Sequence, residues 1–357
     1  MANQENWALL EELLLARGPG GQEEEVVALC RRELEPVCDA VWSDQAGNLI
    51  GRLEGRDPDA PAIRVMAHLD EIAMVIKRID EDGGLRVFAL GGAFPANFGM
   101  CPVDVMGNRE IVPGVLSFGT MHGTSATPQS QHVLSGDVGW NDVHVITRRT
   151  KAELGELGIR AGTRVVLSQH WRKPFRVHDA VAAHFLDDRA PILAALCAAR
   201  SLRSRREELG GDVYFVFTSS EEETNAGAQY AARTLPGEVC IAIEVGPVAQ
   251  EYDTHLSNDP IVLTGDQKGY YSRLVSDALL LTAADCGYCP QPALMPGFAS
   301  DASAVLVSGA SAQAGCLAIP TENTHGYEMI TEGAIEACAE TLVAYLIMPA
   351  RSLSGVD

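Results

Sequence analysis

Residues 62–76 read AIRVMAHLDEIAMVI, and the first half of this stretch decides how the rest of the chain is understood. The run from 63 to 67 is apolar apart from Arg64 and lacks the alternation of a half-exposed strand. That is the pattern of a central strand covered on both faces, and it delivers His68 at its C-terminal end. Such a strand belongs to a sheet flanked by helices, and the neighbouring sequence supplies them. Upstream, 5–17 reads as an amphipathic helix ending at Gly18-Pro19-Gly20-Gly21. A second helix at about 22–35 opens on Gln22 and three glutamates, which suit the positive end of a helix dipole. VWSDQAGNLIGRLE (41–54) is strand-like.

Downstream of Phe175 the rhythm is helix at 187–209, strand at 212–220, helix at 226–235 and strand at 239–246. A helix near 300–310, a strand at 312–320 and a C-terminal helix around 333–348 complete it. Strands alternating with helices predict an α/β fold, a doubly wound mixed sheet with helices on both faces. Between about Lys77 and Arg172 the texture differs, with short alternating apolar runs, many glycines and little helical periodicity. GVLSFGTMHGTSATPQSQ (114–131) reads as a loop, and only KAELGELGI (151–159) is briefly helical. The expected division is therefore 1–74 and 173–357 as two parts of one α/β domain, with 75–172 as an inserted β-rich domain.

The bulk numbers narrow the function. Net charge is −21, from 48 acids against 27 bases, a surface that repels nucleic-acid phosphates and anionic membranes. No segment has enough consecutive apolar residues to span a bilayer, and no secretory signal is recognisable, so a cytoplasmic protein is expected. Nine cysteines are scattered, which argues for free thiols rather than a disulfide framework. The only close pair, Cys286 and Cys289 in CGYC, is too little for a zinc or redox motif.

Ligand-type residues recur where an open α/β sheet places its sites, at the C-terminal ends of strands. His68 and Asp70 follow one strand, and Asp187 sits just before a helix in FLDDR. Glu221 and Glu222 follow DVYFVFTSS, Glu244 ends CIAIE, and His325 follows CLAIP. Each has an ordinary explanation alone: a structural histidine, or a solvated helix start. Together they point to a metal site. Imidazole nitrogen with carboxylate oxygen suits zinc, with cobalt or manganese as substitutes, and excludes a soft thiolate site. Three ligating carboxylates leave two dications a modest positive excess that can acidify water and polarise a carbonyl. Adjacent glutamates then offer a ligand and a free base side by side.

AHLDEI, FLDDR, TSSEEETNAGA, IAIEVG, FASDAS and IPTENTHGYEM, with ARGPGGQEEEVV and DQAGNLIG before them, resemble the serial motifs of the tetrahedral aminopeptidases, the glutamyl and leucyl type of dinuclear metallopeptidase. The likeness runs over nearly the whole chain. It implies that two divalent ions, zinc first, are held by His68 and Glu244 on one side and Glu222 and His325 on the other, with Asp187 between. It implies Glu221 as general base, Asp70 on the far nitrogen of His68, and Asp301 in a supporting role. It also implies release of N-terminal residues from short peptides, and a homo-oligomer: a dodecamer built from dimers through the insert. Asp188 and Arg189 are expected to tie the helix start together. Glu244 where aspartate is commoner, and Glu223-Thr224, Ala299-Ser300 and Glu322-Asn323, depart from the pattern near the expected substrate pocket, so they leave specificity open. Lys268 and Arg273 are loose candidates for a basic group there.

Dinuclear carboxypeptidases and amidohydrolases share this ligand order, but their extra domain follows the paired glutamates. Here the long gap lies between His68 and Asp187, which favours an aminopeptidase over a deacylase or carboxypeptidase. A glycoside hydrolase working through Asp187 and Glu221 leaves both histidines unexplained. A catalytically silent binding protein leaves the full ligand set unexplained.

Overall fold

Ile63–His68 is the fourth strand of an eight-stranded sheet whose order is Ala40–Ser43, Leu49–Leu53, Val213–Thr218, Ile63–His68, Val239–Pro247, Gln313–Thr321, Ile261–Asp266 and Gln291–Met295. The computed structural model describes residues 4–120, 122, 135, 136 and 138–348. The four inner strands, beginning with Val213–Thr218, run parallel, and antiparallel strands border them at Leu49–Leu53 and Ile261–Asp266. The sheet is thus mixed. Its parallel centre is buried on both faces, and VWSDQAGNLIGRLE makes two strands joined by a turn rather than one.

Arg64 is the one charge in the central run, and it is fully buried. Its guanidinium donates to the Ala232 carbonyl at 2.5 Å and to Ser311 Oγ at 3.0 Å. Those bonds offset part of the cost of taking the charge out of water.

Leu186–Ser204 and Ala334–Leu346 pack together on one face of the sheet, with Gln4–Leu15, Glu24–Leu34 and Arg273–Asp285 beside them. Ala226–Thr234 and Asp301–Val307 cover the other, where Met66, Val216, Ala242 and Ala318 meet Ala228, Ala231, Ala302 and Val305. Small side chains on these two helices let them lie close to the strands. In Leu186–Ser204 the helical geometry begins only after Asp188. Pro191 therefore stands in the first regular turn, where a missing N–H removes no helical bond. A small antiparallel sheet, Phe175–Val177, Ala180–Ala183 and Glu328–Thr331, sets Ala183 opposite Glu328.

The chain separates into two compact units, Met1–Asp70 with Pro174–Asp357, and Glu71–Lys173. The change of texture read near Lys77 begins earlier, because Ala73–Ile79 is already the first strand of a closed six-stranded antiparallel barrel. The barrel core includes Ala73, Leu90 and Val166. Thr150 caps the helix Lys151–Glu156, exchanging bonds with Glu153 as a capping box. Where the chain enters and leaves this unit, Glu71 and Arg172 form a completely buried ion pair. Most of the stretch read as a loop at 114–131 lies outside the described residues.

Candidate metal centre

The parallel register brings the strand ends level. Thr218 pairs with His68, and Ala242 pairs with Met66, so Glu244 emerges two residues further along, beside His68. Asp187 arrives from the other direction, just after Ala180–Ala183, and the neighbouring strand of that small sheet opens three residues after His325.

The ligand atoms converge in two groups that share Asp187. His68, Asp187, Asp188 and Glu244 form one, and Asp187, Glu222 and His325 the other, with the atoms of each group within 4.8 Å of one another. Asp187 Oδ1 lies 2.9 Å from His68 Nε2, and its Oδ2 lies 3.5 Å from His325 Nε2. His325 Nε2 is also 3.6 Å from Glu222 Oε2. One carboxylate thus turns one oxygen to each imidazole. Ligands about 2.0–2.1 Å from a zinc ion sit up to about 4.2 Å apart, so each group needs little change to become a coordination sphere.

The electrostatics favour added positive charge. Burial pushes the Asp188, Glu221 and Glu244 carboxyls well above their ordinary range, and the other acids of the cluster add to it. Burial also raises Glu222 to about 7, with His325 opposing and Asp187 adding to the rise. Burial alone would lower the His68 imidazole, but Asp188, Asp187 and Asp70 together hold it well above its usual value. Burial would raise Asp187, yet His325 and His68 hold it below the ordinary carboxylate range. Asp188 Oδ1 is buried with no hydrogen-bond partner among the described residues. Crowded buried acids opposed by two imidazoles, one orphan oxygen and no thiolate are a donor set that fits hard or borderline divalent cations.

The remaining candidate residues have contacts that sequence alone does not give. The carboxylate of Asp70 lies 3.5 Å from His68 Nδ1, while its backbone carbonyl is closer, at 3.1 Å. The carboxylate also accepts the backbone N–H groups of Glu221 and Glu222, at 2.9 and 3.1 Å. These are unpaired donors at the start of a helical turn, and they attract a buried anion strongly. Asp188 does tie the helix start down, accepting the His68 backbone N–H at 2.7 Å, but it also joins a ligand group. Arg189 donates to the carbonyls of Leu13 and Leu69, at 3.2 and 2.6 Å. Arg273 is exposed and pairs with Asp277, one turn along its own helix. Lys268 donates instead to Asn225 Oδ1 at 2.5 Å. Cys286 and Cys289 are free thiols with no part in the centre.

Glu328 was missed. Its carboxylate accepts the backbone N–H of Asp187 at 3.0 Å and that of His325 at 2.9 Å, fixing the two segments to each other. The available signal was an acid three residues after His325. Phe185, Ser220, Asn225 and His325 all hold left-handed backbone, with φ between 52° and 66°. This sparsely populated conformation clusters at functional sites.

Among the described residues no helix is long and apolar enough to cross a membrane. Compared with known proteins, the chain is 28% identical over 253 residues to a lysyl aminopeptidase of Pyrococcus furiosus, covering 70% of this chain and 68% of that protein. A TET aminopeptidase from a marine-sediment Thaumarchaeota archaeon superimposes with a TM-score of 0.89 at 22% identity, over 99% of both chains. The TET1 peptidase of Pyrococcus horikoshii, which can assemble into a tetrahedron or a large octahedral shell, does so at 0.83 and 24%, over 96% of this chain and all of that one. The model of the M42 glutamyl aminopeptidases matches residues 47–341, most of the chain and every residue of the centre, and the chain belongs to that aminopeptidase family, whose members hydrolyse peptide bonds.

Proposed function

We propose that this enzyme is a dinuclear, metal-dependent aminopeptidase in which His68 and Glu244 hold one cation, Glu222 and His325 the other, and Asp187 bridges them. The observation that carries this reading is the division of Asp187 between the two imidazoles, one carboxylate oxygen at 2.9 Å from His68 and the other at 3.5 Å from His325. Zinc is the first choice for such ligands, with cobalt and manganese as substitutes. When bound, the two ions supply Lewis-acid polarisation of the scissile carbonyl and a water acidic enough to attack near neutral pH.

The chain's own residues do the rest. Glu221, half-buried beside the ligand Glu222, takes the proton of the attacking water on its carboxylate. As the new C–O bond forms and the C–N bond breaks, Glu221 returns that proton to the leaving amine nitrogen. Asp70 holds the Glu221–Glu222 backbone in place, and Glu328 does the same for Asp187 and His325. Substrates are short peptides, cleaved at the N-terminus in the cytoplasm. The 71–173 unit serves assembly into a homo-oligomer, a dodecamer built from dimers. Its exposed Phe88, Phe94, Met100, Ile111, Val115 and Ile146 offer apolar side chains for such contacts.

A panel of aminoacyl chromogenic amides assayed with zinc, cobalt and manganese tests the reading. Turnover of free-amine substrates but not of their N-acetylated counterparts is expected. Equal turnover of blocked substrates would move the activity to the deacylase class.

A further inference from the structure

Asn225 lies in the turn after the paired glutamates, is 5% exposed, and holds left-handed backbone at φ 52°, a conformation asparagine tolerates better than most residues. Its side chain is fully engaged. Nδ2 donates to Glu221 Oε1 at 2.6 Å and to Asp301 Oδ1 at 3.0 Å, and Oδ1 accepts from Lys268 Nζ at 2.5 Å. The reverse amide orientation would set a carbonyl oxygen against two carboxylates and an NH₂ against an ammonium, so the charges fix which way it points. Asp301 is buried in turn and accepts the Thr218 hydroxyl at 2.5 Å. A chain of bonds therefore runs from the end of a central strand through Asp301 and Asn225 to one oxygen of Glu221. The other oxygen has no hydrogen-bond partner among the described residues.

We infer that Asn225, oriented by Asp301 and Lys268, is a positioning residue that holds Glu221 by Oε1 and leaves Oε2 for the proton. This rests on Glu221 being the general base. A carboxylate on a flexible glutamate side chain has several rotamers, and only one presents a basic oxygen at the right place. A donor fixed by the Asp301 carboxylate and the Lys268 ammonium selects that rotamer without touching a metal ligand. Lys268 is an exposed residue whose ammonium acts through Asn225, which explains how a lysine near the centre can serve catalysis without binding substrate.

The test uses the full-length, metal-loaded enzyme and measures kcat, KM and bound metal. Asn225→Gly keeps the left-handed backbone and removes all three bonds. It is expected to retain the wild-type metal content and a KM within about twofold, while kcat falls roughly ten- to a hundredfold. Asn225→Asp keeps size and backbone but replaces the donor with an acceptor, and is expected to lose kcat to at least the same degree, so the inference stays testable if the glycine variant folds poorly. Lys268→Met is expected to lower kcat less, and Lys268→Arg to restore most of it. Wild-type kcat in both Asn225 variants, loss of metal, or a change confined to KM would overturn the inference. Glu221→Gln is the control: if it is inactive while the Asn225 variants are unimpaired, only the positioning role fails. If Glu221→Gln retains full turnover, the base assignment itself fails.

Discussion

Glu221 and Glu222 are neighbours with opposite proposed tasks, and they can be separated experimentally. Glu221→Gln removes a proton acceptor but no ligand, so it should keep both metals and lose rate by at least the roughly 10²–10⁴ typical of a lost general base. Glu222→Gln should lose or weaken one metal, with partial rescue by excess ion. Metal analysis of the two purified variants checks this, and the reverse pattern would mean the roles are exchanged. The centre also predicts an unusual pH dependence of stability. Glu222 is raised from near 4.5 to about 7 and Glu328 to about 8, chiefly by burial, and His68 is raised as well. Without metal, the folded protein then binds more protons than the unfolded chain. Its stability is greatest in mild acid and falls as pH rises from about 5 to 8. With metal bound, the ligands are deprotonated in the folded state, so the trend should flatten or reverse. Thermal melts across that range, with and without chelator, measure the difference; parallel curves would contradict it. The ligand-type residues at strand ends could be read from sequence because each follows an apolar run. The anchoring roles of Asn225 and Glu328 could not, nor could the place of Asp188 in a ligand group, because they depend on which backbone N–H or side chain lies opposite.

Single elements show the same division. The central strand was plain in the run at 63–67, yet the bonds that Arg64 makes go to Ala232 and Ser311, far along the chain and invisible to local pattern. The motif DQAGNLIG has a physical task of the same distant kind. Asn48 accepts the Ser219 backbone N–H at 2.9 Å and donates to the Gly227 carbonyl at 3.0 Å, clamping the segment that carries the two glutamates. A Cβ at Gly227 would come within 2.4 Å of both Asn48 Oδ1 and the Ser219 carbonyl. Gly227→Ala should therefore shift this turn, lowering metal affinity and activity together, whereas Gly210→Ala, with nothing near its Cβ position, should leave both unchanged. In the barrel unit, Glu71→Ala leaves Arg172 buried opposite a lost carboxylate. Breaking such a pair typically costs about 3–5 kcal/mol, and denaturant unfolding monitored within that unit should show a loss of this size. An unchanged midpoint would mean that other contacts carry the pair's role. The expected boundary at 75 cuts the first barrel strand, Ala73–Ile79, because Ile72–Ile76 continues the apolar character of the central strand. Periodicity alone does not mark where one core ends and the next begins.

For the molecule as a whole, the mixed sheet with helices on both faces was predictable from the alternation of strand and helix patterns. Its strand order was not, since that depends on pairings between distant segments. Assembly is the second property that one chain does not display. If the 71–173 unit joins subunits, light scattering of the metal-loaded enzyme at micromolar concentration should give a dodecamer, and replacing Phe94 and Met100 with charged residues should yield smaller species. A monomer under all conditions would remove the assembly role. The central claim, that two cations held around Asp187 carry out peptide hydrolysis, is tested most directly by titrating exhaustively chelated enzyme with zinc while following turnover of an aminoacyl amide. No turnover is expected before addition, and full restoration at two ions per chain. Undiminished turnover in the metal-free protein, or restoration complete at one ion, would contradict it.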